Sequence, residues 1–347
     1  MPLKVTTWNL EHANRLISDN PSPHILDRRK RIQRMIKDIS PDILCIQEGP
    51  QGEKNIQNFC SQVLENYLIP VFLKQEQDNL GDKDIEYKIK GNQWICFLVR
   101  PELLHRCTLQ SPNIWQSLTQ SKTWQVNYWG ELKSDQHYHY RHPQVLLYNM
   151  QNGDNLELIG VHLKSKINLL KIDKDGDNNL TGKYLTDSLS ARIKLATEAN
   201  DIRKYIAARF VQSAHPKILL MGDCNDGPGH DYFEERYLFF DLISNLQGDV
   251  ILSERFFNHA LFDFPSHLRW TARYKDELLG LSAADNPLLL DHILISQTLC
   301  RGNAPLVVNE NAGKVEHEAY ERANSGANSK TITSDHRPVS CILHDKH

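Results

Sequence analysis

The chain has 347 residues, 40% hydrophobic and 24% charged, with a formal net charge of −3. This is ordinary globular usage, and it argues against disorder and against a protein that coats nucleic acid through global positive charge. No apolar run approaches the roughly 20 residues of a membrane helix, and MPLKVTTWNL lacks a signal-peptide core, so a cytoplasmic protein that does not enter a membrane is expected.

In chain order, VTTWNL opens as a strand and Ser22-Pro23 reads as a loop. A helix is expected over Asp27–Ile39, where Ile32, Met35, Ile36 and Ile39 share a face and Pro41 follows as a stop. DILCIQE, WICFLV, VLLYNM and LELIGVHL are strand-length apolar runs. KIDKDGDNNLTGKY (171–184) reads as a loop. A second helix is expected over Ser188–Phe210, where Leu195, Ala199, Ile202 and Ile206 recur at helical spacing. KILLMGD, LLLDHILIS and PVSCIL are further strands, and the polar tract 313–331 reads as a loop. Many strands and few helices, with no composition break, suggest packed sheets in a single domain spanning 1–347. The seven cysteines are scattered without a CxxC pair, and those in apolar runs, such as Cys45 and Cys341, read as reduced core thiols.

Polar residues fall at the ends of these runs. Asn9 follows VTTW, and Gln47 and Glu48 follow DILCI. His162 follows LIGV, and Asp223 and Asn225 follow KILLMG. Asp291 and His292 interrupt LLL and ILIS, and Asp335 and His336 precede PVSCIL. A carboxylate against an apolar strand is costly unless it is paired, hydrogen-bonded or on a metal. One such residue is usually structural, but six independent cases are not. Carboxylates and an amide are hard oxygen donors, which suit Mg²⁺ or Mn²⁺. Histidines beside buried acids suit proton transfer or charge stabilisation. The chemistry is that of phosphoester hydrolysis, and no GxxxxGK[ST] phosphate loop is present.

In this order, WN (8–9), QE (47–48), GVHLKS (160–165), GDCN (222–225), LDHIL (290–294) and SDHRPV (334–339) resemble the motifs of the endonuclease/exonuclease/phosphatase, or deoxyribonuclease I-like, superfamily. The resemblance runs from residue 5 to residue 343. It implies a four-layer α/β sandwich, with two central, mostly antiparallel sheets face to face and helices outside. It also implies roles. Glu48 matches the main metal ligand, with Asn9 and Asp335 completing that neighbourhood. Asp223 matches the group that orients or deprotonates water, and Asn225 the phosphate contact beside it. His162 and His336 match the histidines at the scissile phosphate, with Asp291 orienting His336. Arg141, in an R-x-P segment, resembles a substrate-phosphate contact, and Lys164 is a second cation in reach of phosphate. A surface arginine and a solvated strand-end lysine are the plainer readings.

Other features carry plainer readings too. DRRKR (27–31) reads as a solvated helix face rather than a DNA patch, and His137, His139 and His142 as an exposed loop or hairpin rather than a metal cluster. DKDGDNNLTGKY resembles half an EF-hand loop but has Asn178 and Tyr184 where glycine and glutamate are needed. Trp124, Tyr128, Trp129 and Trp270 read as core or rim packing rather than base-stacking platforms. Where the deoxyribonuclease branch carries a glutamate, Gln93 is the nearest residue. The expected activity is Mg²⁺-dependent hydrolysis of a phosphodiester, DNA or RNA, without an obligate protein partner. The alternatives are a phosphomonoesterase acting on a small phosphorylated metabolite or inositol phosphate, a sphingomyelinase, and a catalytically inactive binding scaffold.

Overall fold

Between Ile218 and Asp223 the side chains alternate: Leu219 and Met221 enter one apolar core, Ile218 and Leu220 another. A strand buried on both faces reads as an unbroken apolar run. The computed structural model describes residues 2–73, 93–111, 113–118, 123–128, 131–136, 139, 141–238, 240–302 and 304–346. The elements begin with β1 (Leu3–Asn9), α1 (Pro23–Ile39), β2 (Ile43–Gly49), α2 (Glu53–Gln62), β3 (Ile69–Pro70) and β4 (Trp94–Val99). Then come β5 (Cys107–Leu109), α3 (Asn113–Leu118), β6 (Thr123–Tyr128), β7 (Glu131–Gln136), β8 (Gln144–Asn149) and β9 (Asn155–His162). The long α4 (Gly182–Gln212) leads to β10 (Ile218–Asp223), α5 (Leu242–Gln247), β11 (Phe257–His259), β12 (Ala272–Arg273) and β13 (Pro287–Leu288). The chain finishes with β14 (Asp291–Ser296), α6 (Gln297–Cys300), β15 (Leu306–Val315), α7 (His317–Asn324) and β16 (Val339–Asp345).

Two six-stranded sheets result, ordered β15-β16-β1-β2-β4-β3 and β11-β14-β10-β9-β8-β5. Each is antiparallel except for one central parallel pair, β1–β2 in the first and β9–β10 in the second. The sheets face each other, with β1 against β10 and β14, β2 against β10, and β4 against β9. Gly160 permits this approach, because a Cβ there would meet Cys45 Sγ at 2.7 Å. Helices α1, α2 and α7 pack on the first sheet, and α4 and α5 on the second. This is the four-layer α/β sandwich that the motifs imply. The two parallel pairs end at the same edge, which brings Asn9 and Gln47 toward His162 and Asp223.

Several local expectations fail for physical reasons. Helix α1 begins at Pro23, not Asp27: Ser22 takes the N-cap position, and proline at N1 has no amide hydrogen to leave unpaired. Helix α4 begins at Gly182, because Tyr184, Leu185 and Leu189 pack against Phe233. The tract 313–331 is not all loop. Strand β15 runs to Val315, and α7 buries Ala319, Tyr320 and Ala323 in a stripe too short to read from sequence. Within 171–184 the loop ends where α4 begins at Gly182, and its turn is closed by a Lys174–Leu180 bridge, with Asp175 Oδ1 accepting the Asp177 and Asn179 amides. His139 and His142 are buried, not exposed, and His139 Nε2 lies 3.1 Å from Asp201 Oδ2 on α4. His137, Trp129 and the side chains of Trp124 and Tyr128 lie outside the described residues. DRRKR is not a solvated face. Arg28 is buried and donates to the carbonyls of Leu10, Glu11 and Thr333, while Arg29 donates to those of Leu16 and Ser18.

Candidate functional site

Strand register brings the first group together. Asp223 pairs with His162 on one side and Asp291 on the other. Asn9, at the end of β1 in the opposite sheet, reaches across and donates from Nδ2 to Asp223 Oδ2 at 2.9 Å. Asp223 Oδ1 accepts the Asn225 amide at 2.8 Å. The turn that allows this needs Gly222 at φ +145, where a Cβ would strike the Val161 carbonyl, and Asn225 at φ +52. Asn225 Nδ2 donates to the Leu163 carbonyl at 2.9 Å. His162 Nε2 lies 3.5 Å from Asp223 Oδ2, and His336 Nε2 lies 4.0 Å from it. His336 Nδ1 lies 2.7 Å from Asp291 Oδ2. Two braces hold the Asn9 and His336 segments together: Ser334 Oγ donates to the Asn9 carbonyl, and Trp8 Nε1 to the His336 carbonyl.

The electrostatics separate the two histidines. Burial, with Arg141 and His336 adding to it, holds the His162 pKa well below its ordinary value, so this ring is neutral. Burial also opposes charge on His336, but Asp291, then Asp223 and Asp335, outweigh it and raise its pKa to about 10. Burial lifts Asp223 to about 6; Asp291 adds to this, while His336 and the hydrogen bonds from Asn9 and Asn225 oppose it.

A second group gathers at Glu48. The β2–β4 register shifts between Ile46 and Gly49, and Glu48 takes φ +56. A bulge of this kind redirects a side chain, and an unfavourable φ persists where the surroundings hold it. Glu48 Oε2 accepts the His12 amide at 2.9 Å and a hydrogen bond from Gln93 Nε2. Gln93 Oε1 in turn accepts from Arg141 Nη2 at 2.7 Å. Gln93 therefore links Glu48 to Arg141. Lys164 is placed by its amide, which donates to Glu198 Oε2 at 2.7 Å.

Three contributors escaped the sequence reading. Tyr274 donates to Asp335 Oδ2 at 2.8 Å and lies 2.9 Å from His336 Nε2. Burial, then Asp335 and, less strongly, Glu48, raise the Glu11 pKa, so these three carboxylates share one edge. His12 Nδ1 lies 3.3 Å from Glu48 Oε2. Tyr274 belongs to a loop and the other two precede a short 3₁₀ turn, where no strand pattern marks a residue. Trp270 packs at the rim, with the Arg273 and Arg337 guanidiniums each 4.1 Å from its ring centroid.

The donor chemistry fits a divalent metal. Glu11, Glu48 and Asp335 offer hard carboxylate oxygens whose mutual repulsion a cation relieves. Asp223, Asp291 and His336 also present donor atoms within 4.8 Å of one another and could hold an ion. In that trio Asp291 Oδ1 is buried without a hydrogen-bond partner. The trio's imidazole nitrogens already face Asp291 and Tyr274.

No protein-family model and no curated protein matches the chain. Among solved structures it is similar to truncated Caenorhabditis elegans TDP2, with 13% identity over 99% of this chain and 97% of that one, at a TM-score of 0.51. A selenomethionine structure of TDP2 from the same organism gives 12% identity, 99% and 74% coverage, and a TM-score of 0.50. An endonuclease/exonuclease/phosphatase from Bacteroides vulgatus gives 11% identity, 99% coverage of both chains and a TM-score of 0.48. The chain has the deoxyribonuclease I-like fold, a four-layer α/β sandwich.

Proposed function

We propose that the protein is a metal-dependent phosphoester hydrolase that cleaves phosphodiesters by in-line attack of water. One observation supports this above the rest: Asp223, held at both oxygens by Asn9 and Asn225, faces a neutral His162 and a charged His336. Glu48, Asn9 and Asp335 would hold Mg²⁺ or Mn²⁺, which would supply Lewis-acid polarisation of the phosphoryl oxygens and stabilise the leaving oxygen. Asp223 orients the attacking water and takes its proton, a role suited to a carboxylate raised to about 6. His336, kept charged by Asp291, offers Nε2–H to a non-bridging oxygen as negative charge builds. His162 and Asn225 hold the remaining oxygens. Arg141, steadied by Gln93, and Lys164 bind the phosphate from outside.

The R-x-P segment and the added cations favour a diester, with DNA or RNA first and a small phosphorylated metabolite second. Residues of both sheets share one apolar cluster, which supports a single domain. The seven cysteines are free thiols, which suits a cytoplasmic setting. No helix among the described residues is long and apolar enough to cross a membrane.

The test is hydrolysis of plasmid DNA, bis-p-nitrophenyl phosphate and p-nitrophenyl phosphate, with and without Mg²⁺. Mg²⁺-dependent cleavage of the diesters supports the reading. Release from the monoester alone moves the protein to phosphomonoesters, and no turnover of any substrate contradicts a hydrolase.

A further inference from the structure

We infer that the site selects phosphate esters bearing an uncharged, apolar or aromatic group, which a cavity beside Asn225 receives. This rests on the phosphoester reading above and names the substrate class for that site. The cavity is about 730 Å³ and is lined at one end by Asn225 and Tyr274. Tyr274 contacts both Asp335 and His336, so the cavity opens from the reacting centre. Its volume is that of a small-molecule site, roughly 300–1,000 Å³.

Ile167, Tyr232, Leu279, Leu288 and Leu290 give the cavity an apolar portion, beside the carboxylates of Asp226, Asp231, Glu235 and Asp276. Ile167 is 64% exposed and Leu279 57%. An adjoining cavity of about 450 Å³ shares Lys166 and Tyr232 and adds Leu169, which is 94% exposed. Large aliphatic side chains clustered in water at the mouth of a site mark a surface that something apolar covers.

The cations around this cavity are already matched. Lys166 bonds to Asp226 and Glu234 and lies 3.1 Å from Asp231. Arg236 lies 4.0 Å over the Tyr232 ring and 3.7 Å from Glu235. Lys275 pairs with Glu277 at 3.0 Å. Lys166 is held among three carboxylates, and Asp226, Asp231, Glu235 and Asp276 also line the cavity, so a polyanionic chain gains little by entering. The opposite flank differs. There a cavity of about 390 Å³ joins Asp335 to Trp270, Arg273 and the Arg337–Glu321 ion pair. Arg273 has no carboxylate partner among the described residues. Tyr274 lines the apolar cavity while its hydroxyl bonds to Asp335, so it divides the two flanks. The substrate is therefore asymmetric: its uncharged group enters the Tyr232 side, and any further negative charge lies toward Arg273.

The test is calorimetric titration of the full chain, in Mg²⁺, with inorganic phosphate and two non-hydrolysable phosphonates, methylphosphonate and 1-naphthylmethylphosphonate. The naphthyl compound is expected to bind at least about tenfold more tightly than the methyl one. Leu279→Glu, at an exposed rim position that folding tolerates, is expected to cut that ratio below about threefold. Equal affinities in the wild type, or a ratio untouched by Leu279→Glu, overturn the inference and leave the hydrolase reading standing. Failure of all three ligands to bind overturns the phosphoester reading and this inference with it.

Discussion

His336 Nδ1 lies 2.7 Å from Asp291 Oδ2, and both side chains are almost wholly buried. Asp291→Asn keeps a polar partner but removes the charge. Burial, the largest influence on His336, then meets weaker opposition. In the metal-free protein the His336 pKa is expected to fall, read by NMR titration of the imidazole. Turnover is expected to fall roughly 100-fold. An unchanged titration and unchanged kcat would show that the acid does not act through this ring.

Gln93 joins Glu48 to Arg141 as a donor on one side and an acceptor on the other. Gln93→Glu places a carboxylate against a carboxylate, and like charges at contact disfavour each other. The variant is expected to need a different Mg²⁺ concentration for half-maximal activity and to lose about tenfold in kcat/KM, through misplacement of Arg141. A Mg²⁺ dependence and kcat/KM equal to wild type would mean that Gln93 only fills space.

Arg28 ties the Leu10–Glu11 segment to Thr333, next to the residues that carry Asp335 and His336. Arg28→Met strips hydrogen bonds from three carbonyls. Charged hydrogen bonds are worth about 1.5–3 kcal/mol, and buried orphan acceptors cost a similar amount, so a loss of about 3 kcal/mol in urea unfolding is expected. A loss below about 0.5 kcal/mol, the range of ordinary surface substitutions, would return Arg28 to the solvated face its sequence suggests.

Asp231 gives a pH test remote from the metal edge. Burial alone would raise its pKa, but Arg192 and Lys166 outweigh it and hold the carboxyl at about 2, below the ordinary 3.8. A depressed folded-state pKa adds stability above the unfolded value and loses it as pH falls through the folded value. Wild type is therefore expected to exceed Asp231→Asn in stability at pH 6, and the two are expected to converge between about pH 4 and pH 2. A gap that persists at pH 2 would assign the effect to packing.

The strand-end residues were legible because a carboxylate or imidazole beside an apolar run is costly, and each run supplied one. Their joining was not legible, since Asn9 and Asp223 lie in different sheets and meet only when those sheets face each other. Arg28 was hidden because a basic run on an amphipathic helix looks solvated, although Arg28, Arg29 and Arg31 all donate to carbonyls of neighbouring segments. Helix α7 was hidden by length: two alanines and a tyrosine are too few to show a period. Glu11, His12 and Tyr274 sit in turns, where position depends on the rest of the fold.

The central claim is that Asp223 and Glu48 serve a metal-dependent hydrolysis. The most direct measurement is turnover of bis-p-nitrophenyl phosphate in Mg²⁺ by wild type, Asp223→Ala and Glu48→Ala, with circular dichroism to verify folding. The expected result is activity in the wild type that a chelator abolishes, and at least about 100-fold less in each folded variant. Full activity in either folded variant, or turnover indifferent to the chelator, would contradict the account.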